Sequence, residues 1–287
     1  MRLKPGCETP GVDHRPQAAV GDKRPGFPVR LSPDAGLPSA TRRALGTRAT
    51  DELKPPQSKA ALAGLQQPMP AGVGLDSQTV RSRMVEKLAR QGVRDALVLA
   101  AMGRVERHRF VDTALANQAY EDTSLPIGLG QTISKPNVVA RMLELLRQGN
   151  EDRLGRVLEI GTGCGYQAAV LSHLASEVYS IERLRGLHDR ARENLRQFRL
   201  ANVHLLFGDG MQGFAKGAPY AAIIAAAGGE AIPPAWIEQL ALGGRLVAPM
   251  QTAGGQQALV VIDKTAQGIR QAVLEAVHFV PLKSGTV

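Results

Sequence analysis

Hydrophobic positions fall into a readable order only after residue 75. Val80, Met84 and Leu88 recur at helical spacing behind Asp76 and Ser77, two residue types that cap helices, and Gly92 stands where such a helix should stop. A second helix is expected over 94–103. Residues 121–135 then show no period and are rich in Gly, Ser and Thr, so they read as a loop. That loop runs into Pro136, which suits the first turn of a helix carrying Val139, Met142, Leu143 and Leu146. Beyond it, short apolar runs at 156–160, 178–181, 203–207, 221–225 and 245–248 alternate with helical segments near 166–175, 184–198 and 233–240. Such alternation predicts an α/β fold with a parallel sheet covered on both faces. Two further runs, 258–263 and 269–279, are separated by a turn containing Gly268 and predict an antiparallel pair added to the sheet.

Residues 1–75 follow another rule. They contain 11 of the 18 prolines, nine glycines and one aromatic residue, Phe27, too little apolar surface to offset the entropy of ordering. They are expected to form a disordered extension, leaving 76–150 as a helical portion with the loop and 151–287 as the α/β portion. The extension also changes the meaning of the net charge of +9: it holds eleven Lys+Arg against six Asp+Glu, which leaves 24 against 20 for residues 76–287. Arg42, Arg43 and Arg48 could serve an arm that touches nucleic acid or acidic lipid, but a solvated extension, or a start of translation at Met69, is the plainer expectation.

Composition narrows the class further. Aromatic residues make up only 4% of the 287, which argues against a base-stacking nucleic-acid surface. No apolar run approaches the roughly 18 residues that span a bilayer, and the first 30 residues lack the apolar centre of a secretory signal. Two cysteines, Cys7 and Cys164, cannot build a disulfide framework, and no Cys or His spacing offers a metal site. A cytoplasmic protein without a metal is expected.

The candidate chemistry lies in the run from Val157 to Tyr166, which has the form of a strand, a glycine turn and a helix start. Gly161, Gly163 and Gly165 let the backbone turn and approach a ligand at the carboxyl end of a strand, where open α/β sheets bind ligands. Glu182 follows Gly161 by 21 positions, where a carboxylate can accept from two ribose hydroxyls. Because position 166 is Tyr, the pattern departs from Gly-x-Gly-x-x-Gly, which disfavours a dinucleotide. Glu159 would repel a pyrophosphate but attract the ammonium or sulfonium of S-adenosylmethionine. Asp209, between Gly208 and Gly210, can reach an adenine amino group while Gly210 leaves room for the ring. The ordinary alternatives are a tight strand-to-helix turn, a strand-end carboxylate on loop amides, and a turn aspartate.

These residues, with others, resemble a known family. Over 76–283 the chain is similar to the protein-L-isoaspartate (D-aspartate) O-methyltransferases, through His108-Arg109-Phe110-Val111, Ala119-Tyr120-Glu121-Asp122, Leu125-Pro126-Ile127-Gly128, Val157 to Ala169, Gly208-Asp209-Gly210, Ile232-Pro233-Pro234 and Phe279-Val280-Pro281-Leu282. The glycine loop is common to many methyltransferases; the specific signature is Gly130-Gln131-Thr132-Ile133-Ser134. The resemblance implies a Rossmann-like sheet of seven strands with an N-terminal helical portion. It also implies methyl transfer from S-adenosylmethionine to the free carboxyl of isoaspartyl residues in damaged polypeptides, whose ester then closes to a succinimide. The active-site role falls on Ser134, flanked by Thr132 and Ile133 at the substrate, and the cofactor residues become Glu159, Gly161, Gly163, Gly165, Glu182, Asp209 and Gly210. Lys283, Lys135, Asn137 and Ala227-Gly228-Gly229 depart from the usual pattern and bear on substrate preference. The partners implied are isoaspartyl proteins and peptides, with no nucleic acid, no membrane and a monomeric chain.

Such a reaction asks little of acid–base chemistry. A free α-carboxyl has a pKa of roughly 3.3–3.7 and is an anion at neutral pH, so no general base is needed. Positioning is then the main task, and Ser134 is expected to orient a carboxylate oxygen without becoming methylated itself. Ser134 also stands where a helix-capping serine would. A methyltransferase acting on RNA or a small molecule, or a non-catalytic S-adenosylmethionine-binding protein, are the competing readings. A nicotinamide oxidoreductase would need a glycine at 166 and a proton relay.

Overall fold

Three helices and a small hairpin precede the main sheet in the computed structural model, which describes residues 78–287; the expected extension and the caps Asp76 and Ser77 lie outside them. Helix α1 (Gln78–Arg90) turns Met84 and Leu88 inward, and Gly92, at φ +105°, lets the chain leave it. Helix α2 (Ala96–Arg104) starts later than the expected 94, because the Asp95 carboxylate accepts the N–H groups of Leu97 and Val98 at 2.9 and 3.0 Å. A cap of this kind contributes about 1 kcal/mol. Arg147 holds the same carboxylate at 2.8 Å.

The segment 121–135 is not simply a loop. It contains β1 (Leu125–Gly128) and β2 (Gln131–Ile133), paired antiparallel around Leu129 and Gly130, which both take positive φ, +52° and +70°. Strands of four and three residues are too short to show an alternation. Helix α3 (Pro136–Arg147) begins with Pro136 in its first turn, as expected, and buries Val139, Met142, Leu143 and Leu146. The capping position belongs to Lys135, so Ser134 is not the cap.

The main sheet comprises β3 (Leu154–Ile160), β4 (Ala175–Glu182), β5 (Val203–Phe207), β6 (Tyr220–Ala225), β7 (Leu240–Gln251), β8 (Gln257–Thr265) and β9 (Gly268–Val277), in the order β5-β4-β3-β6-β7-β8-β9. The first five in sequence are parallel, and β8 and β9 form the antiparallel addition. Between them run α4 (Tyr166–Leu171), α5 (Arg185–Arg196) and α6 (Pro234–Gln239). Helix α4 is shorter than 166–175 because His173 and Leu174 donate three residues back and close its end. Adjacent strand residues serve opposite faces. Val157 joins the core that includes α1, α2, α3 and α4, while Leu158 packs with Ile181, Ile223 and Trp236 on the other side. Strand β3 pairs with both β4 and β6, so the winding reverses direction there and leaves a crevice at the carboxyl ends of these strands. Among the described residues no helix is long and apolar enough to cross a membrane.

Candidate active site

The crevice begins where β3 gives way to the glycine turn. Gly161, Gly163 and Gly165 all take positive φ, +90°, +57° and +92°, and Gly165 occupies the capping position of α4. A Cβ on Gly165 would also lie 3.1 Å from Leu195 of α5, so both conformation and packing require glycine there. The turn is held from β4: Glu182 accepts the Gly163 N–H with Oε2 and the Leu184 N–H with Oε1, both at 2.9 Å. Each oxygen keeps a free lone pair toward the cleft that Glu182 lines.

The cleft has a volume of about 580 Å³ and is walled on one side by Gly161, Gly163, Gln167, Glu182 and Gly210, and on the other by Thr132, Ile133 and Ser134. The sequence-picked residues from both sheets therefore meet at one opening, except Glu159, Gly165 and Asp209, which do not line it. Volume and mixed lining suit a nucleoside-sized ligand.

Glu159 is fully buried at the end of β3. Its Oε2 accepts from the Ser180 hydroxyl, which in turn meets Thr162 Oγ1 at 2.6 Å, while Oε1 has no partner among the described residues. Burial pushes its carboxyl up to about 8, against which the Ser180 hydrogen bond and the polar Gln167 amide work. The neighbouring Gln167 amide also has an unpartnered Nε2. Gln167 lines the cleft with its amide and has Glu159 behind it, which fits a ligand that brings a polar, charged end to this wall.

Asp209 and Gly210 behave differently from the expectation. The Asp209 carboxylate accepts Met211 N–H at 2.9 Å and Gly285 N–H at 2.7 Å, so it ties residues 283–287 over the cleft's edge. Arg183 and Arg185 anchor the same stretch through Gly285 and Val287. Gly210 lines the cleft, but the space it spares is taken first by Ile160, whose Cγ2 would be 2.6 Å from a Cβ. Its absent side chain serves protein packing as well as any ligand.

On the acceptor side, Ser134 lines the main cleft and also a second cavity of about 330 Å³ with Thr132, Lys135, His278 and Val280. No hydrogen bond within the described residues engages its hydroxyl, whereas its carbonyl accepts from Arg107 at 2.7 Å. Arg190 of α5 donates to the Ile127 carbonyl and so fastens the hairpin across the cofactor loop. Lys283 joins the cleft wall, and Gly228 pairs with 280–282 through Val280 O and Leu282 N, at 2.9 and 2.8 Å. A side chain at 228 would displace the end of the Gln257 side chain, whose Oε1 accepts the Phe279 N–H. Among the described residues no cluster of His, Cys, Asp or Glu is placed to hold a metal ion.

With this geometry in hand, the comparisons are decisive. A sequence model of the protein-L-isoaspartate(D-aspartate) O-methyltransferase family matches residues 79–287. The chain belongs to this family. It is 58% identical over 267 residues to a protein-L-isoaspartate O-methyltransferase of Methylibium petroleiphilum, covering 91% of this chain and 97% of that one. A Leptothrix cholodnii relative of the same name is 65% identical over 219 residues, 75% of this chain and 77% of its own. Among solved structures, a protein-L-isoaspartate O-methyltransferase superposes with a TM-score of 0.65 at 27% identity, covering 71% of this chain and 66% of the other. A crystal structure of a putative protein-L-isoaspartate O-methyltransferase from Plasmodium falciparum in complex with S-adenosyl-L-homocysteine shares the fold, with a TM-score of 0.63 at 24% identity over 71% of this chain and 98% of that one.

Several residues of the site carried no sequence signal. Gln167 lies within the Val157 to Ala169 stretch, where nothing in the residue order marks it out; Ser180 is a hydroxyl within an apolar strand, and Arg107 and Arg190 are brought to the site only by the fold.

Proposed function

We propose that this chain transfers a methyl group from S-adenosylmethionine to the free α-carboxyl of isoaspartyl residues, and of D-aspartyl residues, in damaged proteins and peptides. Family membership supports the activity, and the observation that carries the site assignment is the meeting of the glycine turn with Thr132, Ile133 and Ser134 across one cleft. S-adenosylmethionine supplies, when bound, a sulfonium methyl that an anion can take. In this reading Glu182 accepts the ribose hydroxyls, Gly161 and Gly163 admit the ligand close to the backbone, and Gln167, with the buried Glu159 behind it, faces the amino-acid end. Gly165 sets the turn, while Asp209 and Gly210 shape the adenine end, Asp209 partly through its hold on Gly285.

The Ser134 hydroxyl, free of other partners, donates to one oxygen of the incoming carboxylate and aligns it. The carboxylate is already ionised, so no residue removes a proton. Attack of an anion on a sulfonium cancels charge, and in-line alignment supplies up to roughly 7–11 kcal/mol of the barrier lowering. The chain is taken to act as a monomer in the cytoplasm, without nucleic acid. The test is methyl transfer to a synthetic isoaspartyl peptide beside its normal aspartyl twin. Labelling confined to the isoaspartyl peptide supports the reading, and equal labelling overturns it.

A further inference from the structure

Arg107 is a buried cation without an ion-pair partner among the described residues. Its side chain is fully enclosed, and the carboxylate whose charge reaches it, Asp122, lies beyond ion-pair distance. Nε donates to the Ala119 carbonyl at 2.7 Å and Nη2 to the Ser134 carbonyl at 2.7 Å, while Nη1 has no partner. The guanidinium lies 4.8 Å from the centre of the Tyr166 ring, the first residue of α4 after the glycine turn. It thus touches both halves of the site at once, the acceptor residue through a carbonyl and the cofactor turn through a ring face.

Two neutral carbonyls do not require a charged donor, and an uncompensated buried charge is costly. Guanidinium remains protonated even where burial draws its pKa down, as it does here, so the charge is permanent at neutral pH. A group that would neutralise it arrives with the substrate. An α-carboxylate held by the Ser134 hydroxyl meets the same residue whose carbonyl the guanidinium holds; Arg107 lines neither cavity beside Ser134, so its charge acts from behind the wall, where burial keeps it strong. Methylation removes the negative charge, and with it the attraction, which favours release of the ester.

We propose that Arg107 is a positioning residue of the acceptor site, fixing the Ser134 carbonyl and supplying the buried positive charge that the substrate carboxylate neutralises. This rests on the activity proposed above. The test compares wild type and Arg107→Gln, each saturated with S-adenosylhomocysteine, for calorimetric binding of an isoaspartyl peptide and of its uncharged α-methyl ester. Wild type should bind the anion at least tenfold more tightly than the ester. Arg107→Gln should lose that preference while keeping its affinity for S-adenosylhomocysteine, and Arg107→Lys, which keeps the charge, should recover part of it. An undiminished preference in Arg107→Gln, or equal losses for anion and ester, would overturn the proposal. Should Arg107→Gln not fold, the Arg107 Nε resonance of the wild-type protein decides: a shift with the anion but not the ester supports the role, and equal shifts refute it. Failure of wild type to bind or methylate the isoaspartyl peptide would instead strike the proposed activity.

Discussion

The two walls of the cleft are built by different means. The cofactor wall is a local device: three glycines at positive φ, a strand end and one carboxylate that accepts two loop amides. The acceptor wall is a hairpin of four- and three-residue strands that buries Leu125, Ile127 and Ile133 in the main core and is tied further by arginines from elsewhere, Arg107 on Ser134 and Arg190 on Ile127. A two-stranded hairpin of that size is not stable alone. The first wall is therefore set by backbone conformation and the second by long-range packing and hydrogen bonds, and substitutions should separate them.

The largest effect is expected at Glu182. Glu182→Ala removes the acceptor of two amides and, in the proposed reading, of the ribose hydroxyls, each charge-assisted bond being worth roughly 1.5–3 kcal/mol. Affinity for S-adenosylhomocysteine should fall at least about 100-fold on that basis, as read by calorimetry. Ser134→Ala acts on the other wall: kcat/KM for an isoaspartyl peptide should fall by about 10- to 100-fold, one hydrogen bond to an anion. Steady-state kinetics with the donor saturating would show it.

Glycine replacement gives a smaller and sharper contrast. Gly165→Ala combines φ +92° with a contact of 3.1 Å to Leu195 and should cost about 1–3 kcal/mol. Gly130→Ala in the hairpin meets nothing within 4 Å, so only the strain of φ +70° remains, about 1 kcal/mol. Denaturant unfolding should rank them in that order.

The pH dependence of donor binding is subtler. Burial raises the Glu159 carboxyl to about 8, so it is mostly protonated below that pH, and a bound cation favours its ionised form. Affinity for S-adenosylmethionine should rise from pH 6 to 8 by less than about tenfold per unit and then level off. In Glu159→Gln that part of the rise should vanish. For folding the sign is opposite: a carboxyl raised above its usual 4.5 stabilises the native state most below that pH, and the contribution is lost as pH climbs through about 8. Thermal unfolding at pH 5 and 8 should show Glu159→Gln gaining on wild type at the higher pH.

The same division explains what could be read from residue order. The glycine turn, the seven strands and the Pro136 helix start each follow from rules spanning fewer than about ten residues, and their positions agree with the structure to within a few residues at most ends. The hairpin escaped because its strands are too short for a period, and Asp95 shifted a helix start that spacing alone placed earlier. For Asp209, the expectation of an adenine contact met a second claimant, Gly285, 76 residues away in sequence. Arg107 and Arg190 act over 27 and 63 positions, a separation at which composition and spacing carry no information.

The most direct test of separate walls is one calorimetric titration of S-adenosylhomocysteine into wild type, Ser134→Ala and Glu182→Ala under a single buffer condition. Ser134→Ala should match wild type while Glu182→Ala loses nearly all heat. Comparable weakening in both variants, or a loss confined to Ser134→Ala, would contradict the division.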